Sequence, residues 1–343
     1  MHTAAAILVE TNKPLVIDEI EIPKLKSGQV LVKIDYSGVC HTQLLEAFGK
    51  RGDDPYLPHL LGHEGSGEVL EIGTDVTKVK VGDHVILSWM KGSGANVMGT
   101  VYNWKGKSVN SGAITTFSKH SVISENRCTV IPKEFPKDKA ALLGCAVPTG
   151  LGAVFNTAKP IPNQSIAVFG CGGIGLCAIQ AAAISECNPI IAIDINPEKL
   201  NQAKQYGATH LINATQVDPV KQINEICSLD FAIEASGSPL AMKQALESVK
   251  NQGGSAVIVG NAHHGKTLNL DPKQFNLGKK LIGTWGGDNI PDYHFPRYCK
   301  LIEQKSFNTT PFLGAIYSLE KIQDALTDLH NGRCLRPLID MSI

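Results

Sequence analysis

The chain has no excess charge of either sign. Its 32 Lys and Arg residues stand against 32 Asp and Glu residues, for a formal net charge of zero over 343 residues. It also lacks a basic run. Binding to a phosphate backbone needs concentrated Lys and Arg, so no nucleic-acid partner is expected. No basic flank and long apolar core open the chain, because the strand-like Ala4–Val9 begins almost at once, so no signal peptide is expected. The nine cysteines are odd in number and irregular in spacing, unlike a disulfide framework. A cytoplasmic, reducing setting follows as the natural expectation. There is no internal repeat and no low-complexity tract. Nor is a membrane span expected. Ile166–Ile184 is apolar apart from Gln180 and nearly long enough to cross a bilayer. However, Gly170, Gly172, Gly173 and Gly175 fall within six positions and break a continuous helix. A buried strand, a tight turn and a buried helix account for the run better.

What is present suits two domains, each with its own core. Up to about residue 145, short Val/Ile runs alternate with Gly, Pro and Asp, as in Ala4–Val9, Val30–Tyr36, Gly67–Ile72 and His84–Leu87. These read as strands, with turns at Lys26–Gly28 and Val81–Asp83. From Ser165 the pattern changes. Strands at Ile166–Phe169, Ile190–Ile193, His210–Ile212, Phe231–Glu234 and Ala256–Val259 alternate with helices at Ile174–Ser185, Pro197–Tyr206, Val217–Cys227 and Pro239–Val249. Such alternation implies parallel pairing with right-handed crossovers. The strands are apolar nearly throughout, as expected when both faces are covered. The tail, with Ile282–Trp285, a helix near Tyr293–Glu303 and an amphipathic helix near Leu319–Leu329, returns to the first style. The expectation is therefore an α/β protein with a β-rich domain at 1–146 and 285–343 and a doubly wound parallel-sheet domain at 147–284.

Gly170-Cys171-Gly172-Gly173-Ile174-Gly175 fits G-x-G-x-x-G, follows an apolar strand and opens a helix, and Asp194 ends the next strand. In this context Gly170 permits the tight turn, Gly172 lets the backbone approach a pyrophosphate, and Gly175 lets helix and strand pack. Free N–H groups at the helix start, Gly173 among them, receive the phosphates. Asp194 can accept from both ribose hydroxyls and repel a 2′-phosphate, so NAD is expected over NADP. Lys199, one helical turn on, either sits by the ribose or is a solvated helix lysine.

The remaining motifs carry a resemblance. Gly62-His63-Glu64, followed by Gly67, Gly73 and Val76, resembles the zinc alcohol dehydrogenase signature of the medium-chain dehydrogenase/reductase superfamily. Cys40-His41-Thr42, Gly82-Asp83-His84-Val85 and Gly144-Cys145 fall in that family's order, and the likeness covers essentially the whole chain. It implies a GroES-like catalytic domain joined to a Rossmann domain. It also implies a catalytic Zn²⁺ on Cys40, His63 and Cys145, with a fourth position open for a small alcohol or aldehyde substrate. Two thiolates cancel the charge of the ion, which lowers an alcohol's pKa as it does that of water and favours hydride departure to the nicotinamide.

By the same resemblance Thr42 bonds the substrate hydroxyl and starts a proton relay. His41 serves as its exit or contacts the pyrophosphate, since Leu45 stands where some relatives complete the relay with His. Glu64 either lies by the zinc or holds a nearby Arg or Lys. Trp89 is a wall of the substrate pocket or an ordinary core residue. Thr149 and Ile174 flank the nicotinamide, and Arg336 contacts the pyrophosphate or is an exposed structural Arg. Cys171, Cys177, Cys187 and Cys227 read as small apolar core residues.

Two departures stand out. Gln43 occupies a place where relatives commonly carry an Asp bonded to the zinc-binding His, with Glu46 available to compensate. No cysteine lies between Ser88 and Arg127, which removes the four-cysteine structural zinc lobe and leaves one zinc per chain. The Gly283–Asp288 segment and the tail look closest to the alcohol and glutathione-dependent formaldehyde dehydrogenase branch. Polyol or threonine dehydrogenases are near alternatives. A zinc-free quinone or enoyl reductase and a non-catalytic dinucleotide-binding protein are distant ones. The family forms homodimers or homotetramers through nucleotide-domain sheet edges, and Ala256–Val259 and Gly283–Gly287 suit such an interface.

Overall fold

A computed structural model describes every residue from Met1 to Ile343. Its contacts divide into one unit of Met1–Cys145, Ile290–Glu303 and Thr309–Ile343, and another of Ala146–Asn289 and Gln304–Asn308.

In the first unit the long apolar strand Gln29–Gly38 is central. It pairs antiparallel with Glu64–Ile72 and, along different stretches, with His120–Ser124 and Leu338–Asp340. His84–Ser88 and Cys128–Ile131 extend the sheet beyond Glu64–Ile72. Val30, Val32 and Ile34 pack with Val69, Val85, Leu87 and Leu326 in one fully buried core. A second set of strands closes into a barrel: His2–Leu8, Val16–Glu21, Val101–Trp104, Lys107–Asn110 and His59–Leu60.

The segment from Lys91 to Asn110 thus contains a hairpin. Its two-residue turn, Lys105–Gly106, has positive φ of 53° and 82°, the twist that tight hairpins require. The part before the hairpin is fastened by carboxylates. Glu125 is buried and accepts backbone hydrogen bonds from Thr77, Lys78 and Ala95, each 2.6 Å long. Asp292 accepts from the Ser93 N–H and hydroxyl and pairs with Lys78.

The second unit is a six-stranded parallel sheet in the order His210–Asn213, Ile190–Asp194, Ile166–Phe169, Phe231–Glu234, Ser255–Ile258, Lys280–Gly283. This is the doubly wound order in which the sheet reverses direction beside its first strand. Helix Gly173–Ile184 is apolar around most of its surface because it is covered on most sides. Its exception, Gln180, exchanges hydrogen bonds with the backbone of Asn308. Helices Pro197–Gln205 and Pro219–Ile226 each start with Pro after a capping Asn196 or Asp218.

Two expectations need correction. The strand expected at Ile282–Trp285 is Lys280–Gly283, and it belongs to the parallel sheet. The strand expected at Ala256–Val259 is paired on both sides, so its hydrogen-bonding groups are spent within the sheet. Lys280–Gly283 holds the edge instead. No helix is long and apolar enough to cross a membrane.

Candidate metal centre and nucleotide site

Three stretches of the chain bring the first site together. Cys40 follows the central strand and begins the short helix His41–Ala47. His63 and Glu64 stand at the start of Glu64–Ile72. Cys145 follows the helix Lys137–Leu142. The ligand atoms of Cys40, His63, Glu64 and Cys145 all lie within 4.8 Å of one another. The backbone at Glu64 is pinned, since its carbonyl accepts from the Ser37 and Thr116 hydroxyls. Gly144 is required beside it, because a Cβ there would stand 2.4 Å from the Leu87 carbonyl oxygen and 2.7 Å from Glu64 Cβ.

The charges in this cluster are linked. The Cys40 thiol is held well below its usual range, first by a hydrogen bond with the Cys145 thiol and then, against burial, by Arg336 and His63. Cys145 is pushed up by that same bond and by burial. By contrast, burial pushes Cys128 up to about 12. Burial opposes a charged His63, but Cys40, Glu64 and Glu46 outweigh it and raise the imidazole. His63 Nε2 is buried without a hydrogen-bond partner. Its Nδ1 meets the Gln43 side-chain amide at 2.5 Å, while Gln43 Oε1 accepts from the Cys40 N–H at 2.9 Å. Two thiols, one of them acidified, and an orphaned buried ring nitrogen make a donor set that fits a zinc ion.

Arg336, expected at a pyrophosphate or on the surface, is neither exposed nor turned outward. It is 4% exposed and donates to Glu64 Oε1 at 2.8 Å and to the Val39 carbonyl. Burial opposes its charge, but Glu64 and the two cysteines secure it. Of the two roles open to Glu64, holding a cation is therefore filled, within reach of the thiols. Glu46 pairs with exposed Arg51 and makes no direct bond to His63, whose neighbour is Gln43. Thr42 Oγ1 stands 3.8 Å from Cys40 Sγ, half-buried, and His41 is exposed. Trp89 is partly buried against the first unit's core, and its carbonyl accepts from Arg127. The sequence held no signal for Ser37 or Thr116, and it offered Glu64 a cation without singling out Arg336, because each partner is remote along the chain.

The second site lies wholly in the other unit. Gly170 has φ of +92°, a backbone shape that disfavours any side chain. A Cβ on Gly175 would stand 1.8 Å from the Gly170 carbonyl oxygen, whereas a Cβ on Gly172 would meet nothing within 4 Å. The helix start is thus open at Gly172, as the approach of a pyrophosphate demands. Asp194 ends its strand with Oδ2 accepting from the Cys171 N–H at 2.7 Å and Oδ1 from the Asn196 N–H at 2.9 Å. Lys199 is half-buried in the first turn of the next helix. Ile174 is half-buried in the first turn after the glycines, and Thr149 is buried in helix Ala146–Gly152. Cys171 and Cys177 are fully buried, as apolar core thiols should be.

Known proteins agree with this arrangement. Residues 26–133 match the family model for the alcohol dehydrogenase GroES-like domain, and residues 173–304 match that for the zinc-binding dehydrogenases. An S-(hydroxymethyl)glutathione dehydrogenase of Synechocystis sp. is 37% identical, the match covering 99% of this chain and 100% of the relative. One from Escherichia coli is 36% identical with the same coverage. The crystal structure of benzyl alcohol dehydrogenase from Acinetobacter calcoaceticus superimposes with a TM-score of 0.90 at 32% identity, covering 99% of both chains. An alcohol dehydrogenase zinc-binding domain protein from Burkholderia ambifaria gives 0.92 at 30% identity, again over 99% of both chains. With its domains, its thiol–imidazole cluster and its nucleotide loop in agreement, this chain belongs to the zinc-dependent alcohol dehydrogenases of the medium-chain dehydrogenase/reductase superfamily.

Proposed function

We propose that Cys40, His63 and Cys145 hold the zinc of this hydride-transferring oxidoreductase, one ion per chain, and that the Gly170–Gly175 loop and Asp194 hold NAD. The observation that carries this reading is the buried meeting of two thiols and an unpartnered ring nitrogen within 4.8 Å. Bound zinc supplies Lewis acidity toward the substrate oxygen, and bound nicotinamide accepts or gives the hydride. The chain's own residues do the rest. Arg336 pairs with Glu64 and, after the Cys145 hydrogen bond, helps to hold the Cys40 thiol below its usual range. Thr42, next to Cys40, accepts the alcohol proton through its hydroxyl and passes it toward exposed His41 and solvent. The single ion is supported by residues 91–97, which Glu125, Ser124 and Asp292 fasten without a thiol. A homodimer or homotetramer joined at the Lys280–Gly283 edge is supported by that strand's position and by the half-exposed Trp285 beyond it.

The substrate is an alcohol or its aldehyde. Relatives named for a glutathione adduct favour a second reading, oxidation of S-(hydroxymethyl)glutathione. Elemental analysis tests the metal, and NAD reduction tests the substrate. One zinc per chain, lost in Cys40→Ser, is expected. Turnover of benzyl alcohol with none of a formaldehyde–glutathione mixture selects the simple alcohol, and the reverse selects the adduct. Two zinc ions per chain, or NADH binding without turnover of any alcohol, adduct or polyol, overturns the proposal.

A further inference from the structure

The Gln43 amide faces two polar groups from opposite ends. Its oxygen accepts from the Cys40 N–H at 2.9 Å and its nitrogen meets His63 Nδ1 at 2.5 Å. Gln43 is 1% exposed, so water does not substitute for either partner. An amide offers one acceptor end and one donor end. As they stand, the amide nitrogen donates to an unprotonated Nδ1, which leaves the proton of a neutral ring on Nε2, the buried atom that faces the cysteines. A metal ligand needs the opposite arrangement, because a neutral imidazole coordinating through Nε2 carries its proton on Nδ1 and donates it to an acceptor. The ring then needs the amide oxygen, and so does the Cys40 N–H. These donors lie at opposite ends of the amide, so one oxygen does not serve both. A carboxylate at this position would accept from both at once.

We propose that Gln43 is a positioning residue that weakens metal binding: loading Nε2 of His63 turns the amide over and strips the Cys40 N–H of its acceptor. This rests on the reading that Cys40, His63 and Cys145 are zinc ligands, and it concerns how tightly they hold the ion. The loss of one hydrogen-bond partner around a coordinating His commonly changes affinity by about 10- to 100-fold. Gln43→Glu supplies the second acceptor and gains an effect of that size, whereas Gln43→Met supplies neither and binds no tighter than the parent.

The test titrates zinc against a chromophoric chelator with the parent chain, Gln43→Glu and Gln43→Met. Amide hydrogen exchange at Cys40 is followed with and without zinc. The expected result is one zinc per parent chain, at least tenfold tighter binding in Gln43→Glu, and faster exchange at the parent's Cys40 amide once zinc is added. In Gln43→Glu that amide stays protected in both states. Equal or weaker affinity in a folded Gln43→Glu overturns the proposal. So does a parent Cys40 amide that keeps or gains protection on loading, a measurement needing no variant. Failure of the parent to bind zinc takes down the ligand assignment itself, which separates the two claims.

Discussion

Glu64 Oε1 and Arg336 Nη1 lie 2.8 Å apart with their side chains 0% and 4% exposed, 272 residues apart along the chain. A buried pair adds little net stability over an apolar one, but removing one member strands the other's charge. That costs about 3–5 kcal/mol. Arg336→Met is therefore expected to lose about that much in urea unfolding at neutral pH. The double variant Glu64→Gln/Arg336→Met should recover part of the loss. If the single variant loses no stability, the pair does not hold the fold around the thiols.

Glu125 ties Ala95 to Thr77 and Lys78 through their backbone N–H groups. Burial works against its charge, but backbone N–H groups of Ala95, Lys78 and Thr77, with the Lys78 charge, outweigh it and hold the carboxyl below its ordinary 4.5. A lowered folded pKa means that the unfolded chain binds the proton more readily. The stabilisation is then full above about pH 4.5, the unfolded value, and is lost as pH falls through the folded one. Glu125→Gln turns an amide N–H toward a backbone donor and should cost about 1–3 kcal/mol at pH 7. The gap between the two proteins in urea titrations should shrink as the buffer is taken below pH 4. A gap that stays constant with pH would reject the charge as its source.

Asp194 is expected to set the choice of dinucleotide. Two unit charges 4 Å apart at an effective dielectric near 20 repel by about 4 kcal/mol, and half of that after screening is still a factor of roughly 30. Activity with NAD should exceed that with NADP by at least this ratio in kcat/KM. Asp194→Asn keeps one acceptor for the Cys171 N–H and narrows the ratio. A preference for NADP in the parent would show that the repulsion is overcome elsewhere.

Thr42→Val removes a hydroxyl beside Cys40 while keeping the shape of the side chain. Loss of a positioned proton acceptor typically costs about 10²-fold or more in rate. Alcohol oxidation should fall by at least that factor with zinc content unchanged, and Thr42→Ser should restore most of it. Undiminished turnover in Thr42→Val would remove Thr42 from the proton path.

Much of the nucleotide unit could be read from the chain because its signals are local. Ile166–Phe169, Ile190–Asp194 and Phe231–Glu234 are short apolar runs each followed by a helix, and the glycines at 170–175 carry their own steric logic. The three family cysteine and histidine positions were legible as motifs for the same reason. What escaped was non-local. Val101–Trp104 and Lys107–Asn110 are four residues each, joined by a Lys–Gly turn that lacks the usual Asn–Gly or Asp–Gly cue, and only barrel closure makes them strands. Arg336 read as a cation in the tail, but its partner is fixed by the pairing of Leu338–Asp340 with Gly38, Ser37 and Tyr36, which no periodicity reveals. Gln43 was visible as a departure, while the Cys40 N–H that competes for its oxygen appears only once the helix start is built.

The fastening of residues 91–97 by carboxylates and backbone amides has an effect far from its own surface. Peroxide finds no thiol in residues 91–97 to attack. Oxidation of the thiols at Cys40 and Cys145 would leave this lobe's hydrogen bonds in place. Such injury would take the proposed zinc site while the scaffold stands, leaving inactive chains that still occupy their place in any assembly.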